Sequence, residues 1–328
     1  MLASSAGPGF VGFDVPPLAW AAFGIGIGLL LVLDLLLVHR RPHAMSFREA
    51  AVESAAWISL GLAFAIVILL WQGGSAAGEY LSAYLVEESL SIDNVFVWAV
   101  IFTSFAVPAE YQFRVLFWGI FGALVLRAAF IFGGVALLER SDWVLYVFGA
   151  ILVASAGRIA FQHEKDIEPE EKLALRLVRR VVPSTREYDG QRLFTRKNGA
   201  LLATPLFAVL ILIETTDVVF AVDSIPAVLA VSREPFIVFS SNAFAILGLR
   251  ALYFLLAGMA DRFRYLRYGL AAILGFVGVK MLLTDLIHVP SWTSLVVISV
   301  VLTVTVVASL RADRRSAEHE RAQPWTTG

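Results

Sequence analysis

Ile213-Glu-Thr-Thr-Asp-Val-Val-Phe-Ala-Val-Asp-Ser-Ile-Pro226 places three carboxylates inside an otherwise apolar run that extends over 200–230. A run of that length crosses a hydrocarbon layer of roughly 30 Å as a helix. A charge at the bilayer centre costs at least ~2.5 kcal/mol on insertion scales, so acids at this depth mark a functional site or a buried ion pair. Glu87-Glu-Ser-Leu-Ser-Ile-Asp-Asn-Val-Phe96 has the same character, within a run over 80–106.

Working outward, further apolar runs fall near 18–38, 50–71, 112–138, 143–162, 235–257, 266–287 and 292–310, each bounded by polar, Gly or Pro residues. Hydrophobic side chains make up 59% of the 328 residues and charged ones 16%, far from a soluble composition. The expected fold is an all-α integral membrane protein of about nine transmembrane helices. The first run is longer than a signal-peptide core and no Lys or Arg precedes it, so it is expected to be a true first helix.

Basic residues orient the chain. With the N-terminus outside, the inward loops hold Arg40, Arg41 and Arg48, then Arg114, the basic 163–199 segment, Arg262, Arg264 and Arg267, and finally Arg311, Arg314 and Arg315. The outward loops hold only Arg140 and Arg233. Lys and Arg favour cytoplasmic loops, so a plasma-membrane protein with its C-terminus in the cytoplasm is expected. Between Glu168 and Pro183, Leu and Val alternate with bases, which predicts an amphipathic helix on the membrane surface.

An internal repeat is legible. Asp93-Asn-Val-Phe96 overlies Asp217-Val-Val-Phe220, Leu126-Arg127-Ala-Ala-Phe130 overlies Leu249-Arg250-Ala-Leu-Tyr253, and Gly149-Ala-Ile-Leu152 with Arg158 overlies Ala271-Ala-Ile-Leu274 with Lys280, at an offset near 123 residues. Copies separated by an odd number of spans lie upside down relative to each other, the plan of many secondary transporters. The division is 1–78 (N-terminal segment and two helices), 79–163 (first three-helix repeat), 164–199 (loop), 200–288 (second three-helix repeat) and 289–328 (last helix and tail).

Asp34, Glu88, Asp93, Glu214, Asp217 and Asp223 outnumber the intramembrane bases Arg127, Arg158, Arg250 and Lys280. The bases are read as structural charge partners, and the surplus as the place of a divalent cation or of protons. At about 100° per residue Glu214 and Asp217 share a helix face, while Asp223 lies opposite Glu214 on a continuous helix. Convergence of all three requires an interrupted helix, and Pro226 is read either as that interruption or as a simple kink.

With no cysteine in the chain, the available ligands are carboxylate, amide and carbonyl oxygens, which suit Mn²⁺, Mg²⁺ or Ca²⁺. Asp93, Glu214, Asp217 and Asp223 are the candidate metal ligands, with Asp34, Glu88, Asn94, Thr215 and Ser224 candidates for the metal or proton pathway. Glu53 is read as an inward access residue or an interfacial one, and Ser240, Ser241 and Asn242 chiefly as helix-packing groups. No His-Glu-x-x-His, Gly-x-Ser-x-Gly or phosphate loop occurs, so the expectation is a transporter rather than an enzyme, with no nucleic-acid partner.

At these residues the chain resembles the TerC family of integral membrane proteins, grouped with the LysE-like exporters. Glu87 to Phe96 and Glu214 to Ala227 are similar to its two signature segments, and Asp34 to Glu53 to its N-terminal region, the likeness running over about 30–310. The resemblance implies an inner-membrane protein exporting Mn²⁺, with tellurium resistance and alkaline response as associated phenotypes. It implies Asp93, Glu214, Asp217 and Asp223 as ion-binding acids, with Glu88 and Asn94 close by. The resulting expectation is a secondary exporter of Mn²⁺ in exchange for protons, embedded in a lipid bilayer and with no tightly bound cofactor. The alternative is a membrane assembly or stress-resistance factor that acts through partner proteins.

Overall fold

Proline, glycine and one capping box punctuate the helices. The computed structural model describes residues 11–34, 45–141, 143–161, 185, 187–197, 200–256, 265–284, 286 and 291–322. Pro17 sits in the first turn of α1 (Pro17–Leu33), where its missing N–H costs nothing. In α2 (Phe47–Gln72) the Ser46 hydroxyl and the Glu49 carboxylate close a reciprocal capping box. Gly73, at φ +86°, divides α2 from α3 (Gly74–Ser104), a backbone angle that favours glycine. The chain continues through α4 (Ala109–Arg140) and α5 (Trp143–Phe161), then a hairpin of β1 (Phe194–Lys197) and β2 (Ala200–Ala203), then α6 (Pro205–Leu229), α7 (Pro235–Leu256), α8 (Leu266–Leu282) and α9 (Ser291–Ala322).

Nine helices among the described residues follow the nine predicted spans in order. Five of them, α2, α4, α5, α6 and α7, are long and apolar enough to cross a membrane by length and composition. The 31-residue α3 is long enough, but Glu79, Glu87, Glu88 and Asp93 interrupt its hydropathy.

The hairpin corrects the predicted start of the sixth span. Residues 200–203 are not helical but pair antiparallel with β1, Phe194 opposite Ala203, and α6 begins at Pro205. Asn198-Gly199 between two short apolar-containing runs is the hairpin signal that hydropathy alone overlooks. The Tyr188 hydroxyl donates to the Phe105 carbonyl at 2.7 Å and Gln191 to the Glu110 carbonyl at 2.8 Å, which ties this segment to the junction of α3 and α4. Burial pushes the Tyr188 phenol up from its ordinary value. The predicted amphipathic helix between Glu168 and Pro183 lies outside the described residues.

α7 is the axis of the bundle, with 94% of its apolar stretch buried. It packs along α2, α3 and α4, while α4 packs along α6 and α5 along α8. Every polar residue on α7 therefore points into protein rather than lipid. The α5–α8 crossing is close because Gly149 and Gly278 meet there: a Cβ on Gly278 would stand 2.9 Å from the Gly149 carbonyl oxygen. Leu62, Ile66, Val67, Leu69 and Leu70 of α2 are exposed, an apolar face suited to acyl chains.

Candidate functional site

Three helices converge on one buried guanidinium. Arg127 of α4 donates from Nη1 to Glu87 Oε2 of α3 and from Nη2 to Asp217 Oδ1 of α6, the latter at 3.2 Å. All three side chains are at most 3% exposed. One positive charge thus faces two carboxylates, and hydrogen bonding is incomplete: Glu87 Oε1, Asp217 Oδ2 and Arg127 Nε have no partner among the described residues. The Asn242 amide of α7 lies beside Glu87, yet its Nδ2 makes no hydrogen bond. Buried polar atoms are rarely left this way unless water, an ion or a proton completes them.

Glu87, and not the adjacent pathway candidate Glu88, is the α3 acid in this cluster. Glu88 instead lies half-buried beside the Tyr84 hydroxyl. The missed signal was helical spacing: Glu87, Ser91, Asn94 and Trp98 recur at intervals of four, three and four, one continuous face of α3. Asp93 lies on α3 one residue before Asn94, and its side chain is outside those described.

Glu214 sits one turn before Asp217 and lies against the bare backbone of Gly122 on α4. A Cβ added to Gly122 would stand 2.0 Å from Glu214 Oε1. Glu214 Oε2 is buried without a partner. Gly122→Ala is therefore expected to fold, because the clash is with the end of a flexible side chain, while pushing the carboxylate out of its seat. Metal-dependent thermal stabilisation of purified protein measures this; an unchanged response in the variant would show that the seat is irrelevant.

The remaining candidates separate. α6 runs unbroken through Pro226, so Asp223 faces away from Glu214 as a continuous helix requires. Asp223 instead accepts from the Ser155 hydroxyl at 2.5 Å and from Arg158 Nη2 at 3.4 Å, both on α5, and the Arg158 side chain is 47% exposed. The Thr215 hydroxyl donates to the Ile211 carbonyl at 2.7 Å, within α6, whereas Ser224 Oγ is buried without a partner. Among the described residues, no three His, Asp or Glu side chains are grouped to hold a metal ion.

A second guanidinium cluster lies between α1, α2 and α7. Arg250 forks both oxygens of Asp34, reaches Glu53 Oε1 at 2.5 Å and stacks over the Phe113 ring at 4.4 Å. Glu53 is thus a half-buried partner of Arg250, a role hydropathy could not assign because it lies near the start of its helix. Lys280 donates to Ser294 at 2.9 Å. At the opposite end of α3, buried Glu79 accepts from the Val11 amide at 2.8 Å and the Ser232 hydroxyl at 2.7 Å, a contact no sequence pattern announced.

Comparison with known proteins places the chain among integral membrane proteins. The family model described as "Integral membrane protein TerC family" matches residues 72–317. A relative from Myxococcus xanthus named "Uncharacterized membrane protein STKORF319" is 47% identical over 309 residues, covering 94% of this chain and 97% of its own. One from Escherichia coli (strain K12) named "Putative membrane-bound redox modulator Alx" is 47% identical over 298 residues, 88% of this chain and 93% of its own. An uncharacterized membrane protein of Rickettsia bellii is 38% identical over 293 residues, 89% of this chain and 97% of its own. No solved structure matches. With this match over most of its length, the chain belongs to the TerC family of integral membrane proteins.

Proposed function

We propose that this protein is a secondary transporter that exports a divalent metal cation, Mn²⁺ foremost, with protons as the counter-ion. The observation that carries this reading is Glu214, a carboxylate inside the bundle whose Oε2 is buried with no donor. Beside it, Asp217 and Glu87 share a single arginine and each keeps one oxygen unused. Unused carboxylate oxygens in a low-dielectric interior suit a hard cation, and a carboxylate that releases its cation there takes up a proton. In this reading Glu214 and Asp217 are primary ligands, Asp93 approaches from α3, and Asp223 with Ser224 lies further along the path.

The packing pairs support an inverted-repeat mechanism. Exchanging the first repeat (α3, α4, α5) for the second (α6, α7, α8) turns the α3–α7 contact into the α6–α4 contact and leaves α5–α8 unchanged. The N-out, C-in orientation and the inner-membrane location belong to the same reading.

The ion pairs of Asp34, Asp217 and Asp223 favour a second reading, a membrane stress or assembly factor whose acids are structural. The name of the Escherichia coli relative points to redox modulation, but this chain has no cysteine and so offers no thiol couple of its own. Asp217→Asn separates the two. The amide keeps an oxygen to accept from Arg127, so the fold is expected to survive while Mn²⁺ flux in proteoliposomes falls to background. Wild-type protein that is folded and moves no divalent cation would overturn the transport reading.

A further inference from the structure

Several of the unpartnered polar atoms share one face of α3. From the Arg127 cluster, one face of α3 presents Glu87 Oε1, Ser91 Oγ, both amide atoms of Asn94, and the Trp98 indole Nε1, all buried and all without a hydrogen-bond partner. Ser91, Asn94 and Trp98 are each 1% exposed. The face runs over the twelve residues from Glu87 to Trp98, ~16 Å along a helix.

Its far end approaches the second guanidinium cluster. α3 and α7 advance side by side in the same direction, because Glu87 lies beside Asn242 while Phe102 meets Tyr253, ring centroids 5.3 Å apart. Trp98 shares an apolar cluster with Leu249, the neighbour of Arg250, and with Ile58, one turn beyond Ser54 on α2. Arg250 Nε and Ser54 Oγ are themselves buried and unpartnered. Between the two arginine–carboxylate clusters, α3 thus presents buried donors and acceptors about a helical turn apart, without a hydrogen-bond partner among the described residues.

We propose that this face of α3 binds a file of water molecules that joins the Glu87–Arg127–Asp217 cluster to the Arg250–Asp34–Glu53 cluster. Buried water takes two to four hydrogen bonds from otherwise unsatisfied polar groups, and the α3 face supplies both signs: hydroxyl and amide atoms, an indole donor and carboxylate acceptors. An indole N–H left dry would forfeit the hydrogen bond it makes to water in the unfolded chain, a cost that a bound water removes. The file's role, hydrating a cation between the central acids and the α1–α2 end, rests on the transport reading; its existence does not.

Radiolytic hydroxyl labelling with mass spectrometry tests the file directly, because radicals form at bound water and oxidise the side chain beside it. In the purified full-length protein Trp98 should be oxidised despite its burial, whereas Phe102, equally buried one turn on, should stay inert. Ser91→Val should lower Trp98 oxidation severalfold, and Asn94→Leu should do the same if that variant is recovered folded. Trp98 as inert as Phe102 in wild type, or oxidised equally in wild type and Ser91→Val, overturns the proposal. Divalent flux measured on the same preparations keeps the two readings apart: a labelled Trp98 without flux removes the transporter and leaves the file, and flux with an unlabelled Trp98 does the reverse.

Discussion

Arg127→Met should cost most of the folded yield. The substitution leaves Glu87 and Asp217, both almost fully buried, facing each other without a counter-charge. Removing one partner of a buried pair costs about 3–5 kcal/mol, a large part of the roughly 5–15 kcal/mol that holds a typical domain together. The expected result is a marked loss of monodisperse protein and a lower melting temperature in detergent. Neutralising the acids as well, in Arg127→Met/Glu87→Gln/Asp217→Asn, should recover much of the loss, because the penalty belongs to the uncompensated charge rather than to the missing side chain. If the single and triple variants are equally unstable, the arginine contributes by packing and the electrostatic account is wrong. The single variant also bears on function: two bare carboxylates beside Glu214 are expected to be stabilised by added Mn²⁺ more than wild type is.

Arg250→Leu should have a comparable effect with a different distribution. Here the guanidinium ties α7 to Asp34 at the end of α1 and to Glu53 near the start of α2. α1 otherwise makes its main helix contact with α7. Loss of the fork is therefore expected to destabilise the protein by about 3–5 kcal/mol and, before global unfolding, to loosen α1. Hydrogen exchange over the C-terminal half of α1 and over α6 reads this: faster exchange in α1 with α6 unchanged is expected, and uniform acceleration would refute a local role. Arg250→Lys should be intermediate, since an ammonium keeps the charge but cannot fork two oxygens of Asp34 while reaching Glu53.

Several features of the site were legible in the linear sequence because they follow from spacing. Glu214 and Asp217 on one face, with Asp223 opposite, needed only the 100° rotation of a helix, and the unbroken α6 keeps them so. Glu87 carried the same kind of signal through its register with Ser91, Asn94 and Trp98, but adjacent Glu88 is indistinguishable from it by composition. The choice of arginine partners was not legible. Arg127 and Arg250 stand in the similar stretches Leu126 to Phe130 and Leu249 to Tyr253, yet Arg127 takes Glu87 and Asp217 while Arg250 takes Asp34 and Glu53, acids from α1 and α2. Which acid a buried arginine meets depends on how neighbouring helices are tilted and set, and one-dimensional periodicity holds no such information.

By itself the sequence determined the order of the helices, the places where Pro, Gly and Ser46 start or stop them, and the presence of acids at membrane depth. Those properties are local, since hydropathy, backbone angles and capping act within a few residues. Tertiary structure alone decided that α7 would be the buried axis, that Gly122 would seat Glu214, and that one face of α3 would carry a run of unpartnered polar atoms between two guanidinium clusters. Each of these depends on which helix lies opposite which, and that is settled by packing between residues far apart in the chain.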